Sequence, residues 1–214
     1  MGMLALGLVV VASLSIASSS TTAQDSAALK NAVRDAIAID QQMTALPAGF
    51  EVGHATAHAR SELRSRIATD YRAHFTGAAL TTRLNGLLAW ADRVSKAPGD
   101  THLLQFRMGQ FQADQPMVSG DTATVSGSCV IFEKMGAENT GGKTMTWGGT
   151  ITFAFTAQVV QRDGTWLVSD LAEQQTDYQH DPTLEQGMDG APAPGATKSI
   201  PASYAPIVVN PANP

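Results

Sequence analysis

The chain has 214 residues, 43% of them apolar and 15% charged, which suits one domain of about 100–150 residues with terminal extensions. A formal charge of −5 argues against a nucleic-acid binder, whose affinity would come from clustered Lys and Arg. The single cysteine, Cys129, cannot form an internal disulfide, and its apolar surroundings in the sequence are typical of a buried residue.

The N-terminal segment indicates export. A near-continuous apolar run over residues 3–17 has the length of a signal-peptide core and is shorter than the roughly 20 residues that span a bilayer. Cleavage after Ala23, with Thr21 at the −3 position, fits. Signal peptides normally begin with Lys or Arg, whereas the first basic residue here is Lys30. The segment is therefore either a cleaved signal peptide or a membrane anchor, and the protein is predicted to be secreted or extracytoplasmic.

The opposite end is predicted to be a disordered tail, residues 176–214. Seven of the ten prolines follow His180 and lie among Gly, Ala and Ser. A segment of this composition cannot recover its ordering entropy by burial. A short apolar patch at 204–209 could dock on the domain, but a solvated tail is the simpler interpretation.

Three helices are predicted over residues 25–43, 55–75 and 78–96, because apolar residues recur there every three or four positions. In the first helix the apolar stripe turns polar at its end, at Asp40 or Gln41. The stripe of the second helix consists of Leu63, Ile67, Tyr71 and Phe75.

From residue 103 onward apolar and polar residues alternate, as half-buried strands require. Strands are predicted at 103–111, 121–133, 150–161 and 165–172. The Gly- and Thr-rich stretch 135–149 is predicted to be a loop. Sequential strands after a run of helices predict an α+β fold, with helices packed on one face of an antiparallel sheet.

An Asp-Gly turn at 163–164 sets the register of the last hairpin. A type I′ turn there pairs Val159 with Val168 and, by continuing the count, Ala157 with Asp170. Cross-strand partners point to the same side of a sheet, so Asp170 is predicted to lie on the apolar face. A carboxyl group there would have a pKa raised by desolvation unless a donor satisfied it, which is how a general base is poised.

Three helices followed by a sheet that ends in VQRDGTWLVSDL, residues 160–171, resemble the NTF2-like superfamily, which includes ketosteroid isomerases and SnoaL-type polyketide cyclases. The resemblance covers roughly residues 55–172, with weaker support from GDTATVSGSCVIFEK at 120–134. It implies that the sheet curls around the helices into a cone with an apolar pocket at one end.

The N-terminal layout resembles exported or anchored members of that superfamily, the VirB8-like and Mce-associated-like proteins, which act through protein contacts. On this layout residues 1–23 are the signal peptide or membrane anchor, and 24–50 are an N-terminal helix and linker. Residues 51–175 are the NTF2-like domain, and the tail follows.

The resemblance implies a pocket with two candidate catalytic residues. Asp170 would be the base, and Tyr71, on the inner stripe of the second helix, would stabilise an enolate. Alternatively, Tyr71 is an ordinary core residue and Asp170 closes a strand end or binds a backbone amide. No second buried acid stands out, which argues against catalysis. The predicted pocket lining consists of Phe106, Met108, Phe153, Phe155, Trp166 and Val168.

Other chemistries find little support in the sequence. His54 and His58 are four residues apart and could share a helix face, but no third metal ligand has suitable spacing. GGKT at 141–144 lacks the first glycine of a phosphate-binding loop, because that position is Ala137. No metal and no cofactor are predicted.

The sequence therefore favours an exported, non-catalytic envelope protein that binds a protein partner or an apolar small ligand, with homo-oligomers through the sheet face as a further possibility. The alternative is an extracytoplasmic enzyme of the isomerase or cyclase type. An open pocket with Asp170 and Tyr71 at its wall would favour the enzyme. A cone filled by Phe106, Phe153, Phe155 and Trp166 would exclude it.

Overall fold

The computed structural model describes residues 23–138 and 142–187. Both the apolar run at 3–17 and the apolar patch at 204–209 lie outside the described residues. Among those that are described, no helix combines the length and apolar character needed to cross a membrane. The elements are α1 (Ala23–Gln42), α2 (Ala57–His74), α3 (Gly77–Val94), β1 (His102–Ala113), β2 (Met117–Ser119), β3 (Thr122–Glu138), β4 (Thr144–Arg162), β5 (Thr165–His180) and a final 3-10 turn (Pro182–Leu184).

The strands form one antiparallel sheet in the order β1-β3-β4-β5, and short β2 pairs with the start of β3. Two irregularities interrupt the pairing of β1 with β3, and two more interrupt that of β4 with β5. Each bulge bends the strand that carries it and increases its local twist, so the sheet curves. The predicted α+β class, helices packed on a curved antiparallel sheet, is confirmed.

The helices cover the concave side of the sheet, which we call the inner face. The apolar stripe of α1 is fully buried, and α1 contacts all four long strands. Alternate residues of β3 and β4 meet it, as a period of two requires. The buried stripe of α1 consists of Leu29, Val33, Ala36 and Ile37.

The junction between α2 and α3 is attached to the last strand. Phe75, just after α2, forms a parallel bridge with Val168, and the amide of Thr76 donates to the Val168 carbonyl at 2.8 Å. Gly77 follows with φ of +61°, a conformation that side chains other than glycine rarely adopt. This attachment holds the C-terminal end of α2, which carries Tyr71, against the sheet.

The prediction of a loop at 135–149 is wrong for most of its length, because β3 runs on to Glu138 and β4 begins at Thr144. The glycines in this stretch allow neighbouring strands to approach closely. A Cβ atom on Gly148 would lie 2.2 Å from the Glu133 carbonyl oxygen, and a Cβ atom on Gly149 would lie 2.2 Å from the Gln179 carbonyl oxygen. The last strand also extends past its predicted end at residue 172, to His180.

A buried polar network joins α1, α3 and β5. Arg83 on α3 contacts the Asp40 carboxylate at the end of α1, whose side chain is 0% exposed. The same guanidinium donates to the Leu171 carbonyl at 2.8 Å and lies 3.3 Å from Glu173 Oε2. Burial raises the pKa of Asp40 well above its usual value, and Glu173 adds to the rise.

Replacing Gly127 by Ala is expected to lower the free energy of unfolding by about 1–3 kcal/mol. Its Cβ atom would lie 2.0 Å from the Gln112 carbonyl oxygen and 2.8 Å from the Phe155 ring. Gly86→Ala is the matched control, because that position in α3 has nothing within 4 Å. The control should gain up to about 1 kcal/mol through helix propensity. Denaturant unfolding measures both, and equal effects would contradict the close packing described for Gly127.

Replacing Arg83 by Met is expected to destabilise the fold by about 3–5 kcal/mol, because Asp40 would be left buried without a cation. The double variant Arg83→Met/Asp40→Leu should recover much of that loss. Arg93→Met is the control, since its ion pair with Asp100 is much more exposed than that of Arg83 with Asp40 and its loss should change stability by about 1 kcal/mol or less. A similar cost for Arg83→Met and Arg93→Met would show that the network is not structural.

Candidate functional site

The prediction that Asp170 lies on the inner face is wrong. The turn forms as predicted, with positive φ at Asp163 and Gly164, and Val159 pairs with Val168. Between that pair and the next, β5 carries an extra residue, so Asp170 pairs with Gln158 instead of Ala157.

A single inserted residue reverses the face of every residue beyond it. Asp170 is exposed on the outer face, and its Oδ1 accepts from the Leu171 amide at 3.1 Å, as the alternative interpretation expected. Leu171 takes the inner position and is buried.

Tyr71 lies on the inner side, as predicted, but it is a core residue. The side chain is fully buried and its ring stacks on Phe75, with 4.6 Å between centroids and 14° between planes. Its hydroxyl has no hydrogen-bond partner among the described residues. Tyr71 and Asp170 therefore lie on opposite sides of the sheet and do not form one site.

The predicted pocket residues divide into two groups. Phe153, Phe155 and Val168 are buried in the core with α1, and Trp166 packs against them. This half of the inner face is filled. Phe106 and Met108 lie towards the other half; like Trp166 they are partly buried and pack against the edge of the same core, and Phe106 also contacts the smaller cluster of Ala45, Leu103 and Met135.

That second half contains an acid which the sequence did not single out. Glu133 follows Ile131 by two residues on β3 and faces inward, paired with Phe106 on one side and Gly149 on the other. The neighbouring inward positions belong to apolar and aromatic residues. We call this group the Glu133 cluster; it consists of Phe106, Glu133, Met135, Trp147, Ile151 and Tyr178.

The Glu133 cluster is buried at its base and partly open above. Glu133 itself is 7% exposed, whereas Phe106, Trp147 and Ile151 are intermediate and Tyr178 is 38% exposed. Gly149 contributes no side chain directly beside the carboxyl group. The group thus combines one buried acid with apolar and aromatic side chains that remain partly exposed.

The Glu133 carboxyl group has no hydrogen-bond or ion-pair partner among the residues that the structure describes, and its Oε2 is buried. Burial raises the pKa of Glu133 from 4.5 to about 7. The Tyr178 hydroxyl does not donate a hydrogen bond to the Glu133 carboxyl group, because this hydroxyl donates to the Gly148 carbonyl at 3.2 Å. The carboxyl is therefore poised to donate a hydrogen bond when protonated or to pair with a cation when ionised.

Other reactive groups are inert or isolated. Burial raises the pKa of the Cys129 thiol to about 12, so this thiol is not a nucleophile at neutral pH. Burial lowers the pKa of His102, whose Nδ1 is buried without a partner in the described chain. Within residues 23–138 and 142–187, no three His, Cys, Asp or Glu side chains gather in a way that could hold a metal ion.

One signal in the sequence could have identified Glu133. The inward positions of β3 recur at every second residue, through Val125, Cys129 and Ile131, and the next is Glu133. The predicted loop at 135–149 concealed it, because a residue at a strand end beside a loop is ordinarily solvated. Met135 and Trp147, which complete the surface, belong to that same misassigned stretch.

No family model matches the sequence, and no functionally described protein matches it in sequence. Among solved structures, the chain is similar to the intermembrane-space region of the chloroplast protein ARC6, at 12% identity and a TM-score of 0.46, covering 71% of this chain and 98% of that one.

The chain is also similar to a type 2 hexachlorocyclohexane dehydrochlorinase, LinA, at 16% identity and a TM-score of 0.35, covering 77% of this chain and 93% of that one. The type 3 LinA of Novosphingobium barchaimii matches at 16% identity and a TM-score of 0.30, covering 48% of this chain and 63% of that one. Likenesses at this level concern the fold and carry no argument about activity.

Proposed function

We propose that the protein is a non-catalytic binding protein that takes a small apolar ligand at the Glu133 cluster. The observation that supports this is the unpartnered, buried carboxyl of Glu133 among aromatic side chains that stay partly exposed. Ligand sites typically combine apolar walls with very few oriented polar groups. A ligand that covers the aromatic rings gains about 25 cal/mol for each Å² of apolar surface removed from water.

The resemblance implied a pocket between the helices and the sheet, but that half of the inner face is filled. This supports binding at the Glu133 cluster instead. Phe153 and Phe155 pack against α1, so the volume between helices and sheet is occupied by the protein's own side chains. Tyr71, fully buried, is out of reach of a ligand.

The alternative enzyme function loses the residues on which it rested. Asp170 is on the outer face, away from Tyr71. Glu133 could act as an acid or base, but an isomerase needs a second group to stabilise the enolate. The hydroxyl of Tyr178, which belongs to the cluster, already donates its hydrogen bond to a backbone carbonyl and is not free to stabilise an enolate. Binding without turnover is therefore the better supported function.

We further propose that the protein acts outside the cytoplasm after loss of its N-terminal segment. Cleavage after Ala23 would leave every described buried position of α1 in the mature chain, beginning with Ser26 and Leu29. Loss of the preceding residues would thus leave the packing of α1 intact.

Mass spectrometry of the protein from its native cell is expected to find an N-terminus near Gln24, because the apolar run and small residues before it suit signal peptidase. An intact N-terminus on a membrane-bound protein would support the anchored form instead. Recovery of the whole chain from the cytoplasm would contradict export.

A neutral apolar fluorophore such as N-phenyl-1-naphthylamine is expected to bind and brighten. Trp147→Ala should weaken this binding about tenfold, equivalent to about 1.4 kcal/mol, because it removes an aromatic wall. Phe132→Ala is the matched control, since Phe132 lies on the outer face beside Arg107. Circular dichroism checks that both variants fold. Absence of binding to the native protein, or equal binding by both variants, would disprove the site.

A further inference from the structure

We infer that the ligand of the Glu133 cluster is an organic cation, an apolar molecule whose ammonium group pairs with the Glu133 carboxylate. The inference rests on the proposed function and names the chemical class that this site takes. It follows from two features of the cluster, an acid without a counter-charge and aromatic side chains on the neighbouring strands.

The first feature is the missing counter-charge. An ionised carboxylate that is buried without a partner is unfavourable, so a ligand that brings a positive charge stabilises the site more than a neutral one. Lys134, next in the chain, pairs with Gln105 and Gly148 on the outer face.

No basic residue of the surrounding elements forms an ion pair with Glu133 in the described chain. Arg66 of α2 donates one Nη to the Ala45 carbonyl and its Nε has no partner, but the acids that act on its guanidinium are Asp70 and Glu62. His180 of β5 lies 3.0 Å from Glu185. Desolvation lowers the pKa of His102 on β1. Glu138 and Glu185 are acids, so no described cation neutralises Glu133.

The second feature is the aromatic wall. Phe106, Trp147 and Tyr178 belong to three different strands and share the inner face with Glu133. The negative face of an aromatic ring attracts a cation that lies within about 6 Å of the ring centre. Both features therefore favour the same kind of ligand. A metal ion is not favoured, because the described residues offer no group of three ligands.

The inference carries a characteristic pH dependence. Desolvation raises the pKa of Glu133 to about 7, so the carboxylate is mostly protonated at pH 6 and mostly ionised at pH 8. A primary alkylamine stays protonated over this range. The affinity for the amine should therefore rise about tenfold between pH 6 and pH 8, in step with the ionised fraction.

The experiment compares 2-phenylethylamine with 2-phenylethanol, which have similar apolar parts and differ in charge. Binding to the full chain is measured by NMR titration at pH 6 and pH 8. At pH 8 the amine is expected to bind about tenfold more tightly than the alcohol. At pH 6 this difference should largely disappear, and the affinity for the alcohol should not rise with pH.

Glu133→Gln should reduce the affinity for the amine to that for the alcohol and remove the pH dependence. Asp177→Asn is the matched control, because it removes one exposed carboxylate from the outer face of β5. The control separates pairing at the site from general attraction by a chain of net charge −5. The pH dependence of the native protein is an independent measurement should the Gln variant fold poorly.

The outcomes distinguish the two proposals. Equal binding of amine and alcohol by the native protein at both pH values would overturn the cation and leave the apolar site standing. Binding of neither probe, together with no binding of the neutral fluorophore, would overturn the site itself. Loss of amine binding in Asp177→Asn as large as in Glu133→Gln would also overturn the inference.

Discussion

Arg83 holds the first helix, the third helix and the last strand together through one guanidinium group, and this junction sets where α1 lies on the inner face. The contact with Asp40 fixes the C-terminal end of α1, and the bond to the Leu171 carbonyl fixes the strand just beyond its bulge. With α1 held there, its apolar stripe occupies the volume between helices and sheet. The inner face is filled on that side by the protein's own side chains, which is why we place the proposed ligand at the other half.

The two buried acids of the inner side illustrate opposite solutions to the same physical problem. Desolvation raises the pKa of both Asp40 and Glu133. Asp40 is paired with an arginine of the same chain and contributes to the fold. Glu133 has no such partner among the described residues, so its unfavourable burial stays uncompensated until something else supplies a charge or a hydrogen bond. Such an uncompensated acid is more typical of a functional group than of a structural one.

Much of the fold was predictable from the sequence, because it depends on local periodicity. The stripes of α1, α2 and α3 and the alternation in the strands indicate which residues are buried, and the Asp-Gly turn sets the first pairs of the last hairpin. The errors arose at Ser169 and at the glycines 148 and 149. A bulge has no distinct composition, and a glycine that permits close strand contact cannot be told from one in a loop until the neighbouring strand is in place.

The sequence by itself determined the α+β class, the buried stripes and the hairpin turn, since each follows from the spacing of residues close together in the chain. Only the tertiary structure decided which acid faces inward. One extra residue at Ser169 turned Asp170 to the solvent, and continued pairing of β3 with β4 buried Glu133 between Phe106 and Gly149. The physical reason is that the face of a strand residue depends on the register with its neighbours, and a single inserted residue reverses it.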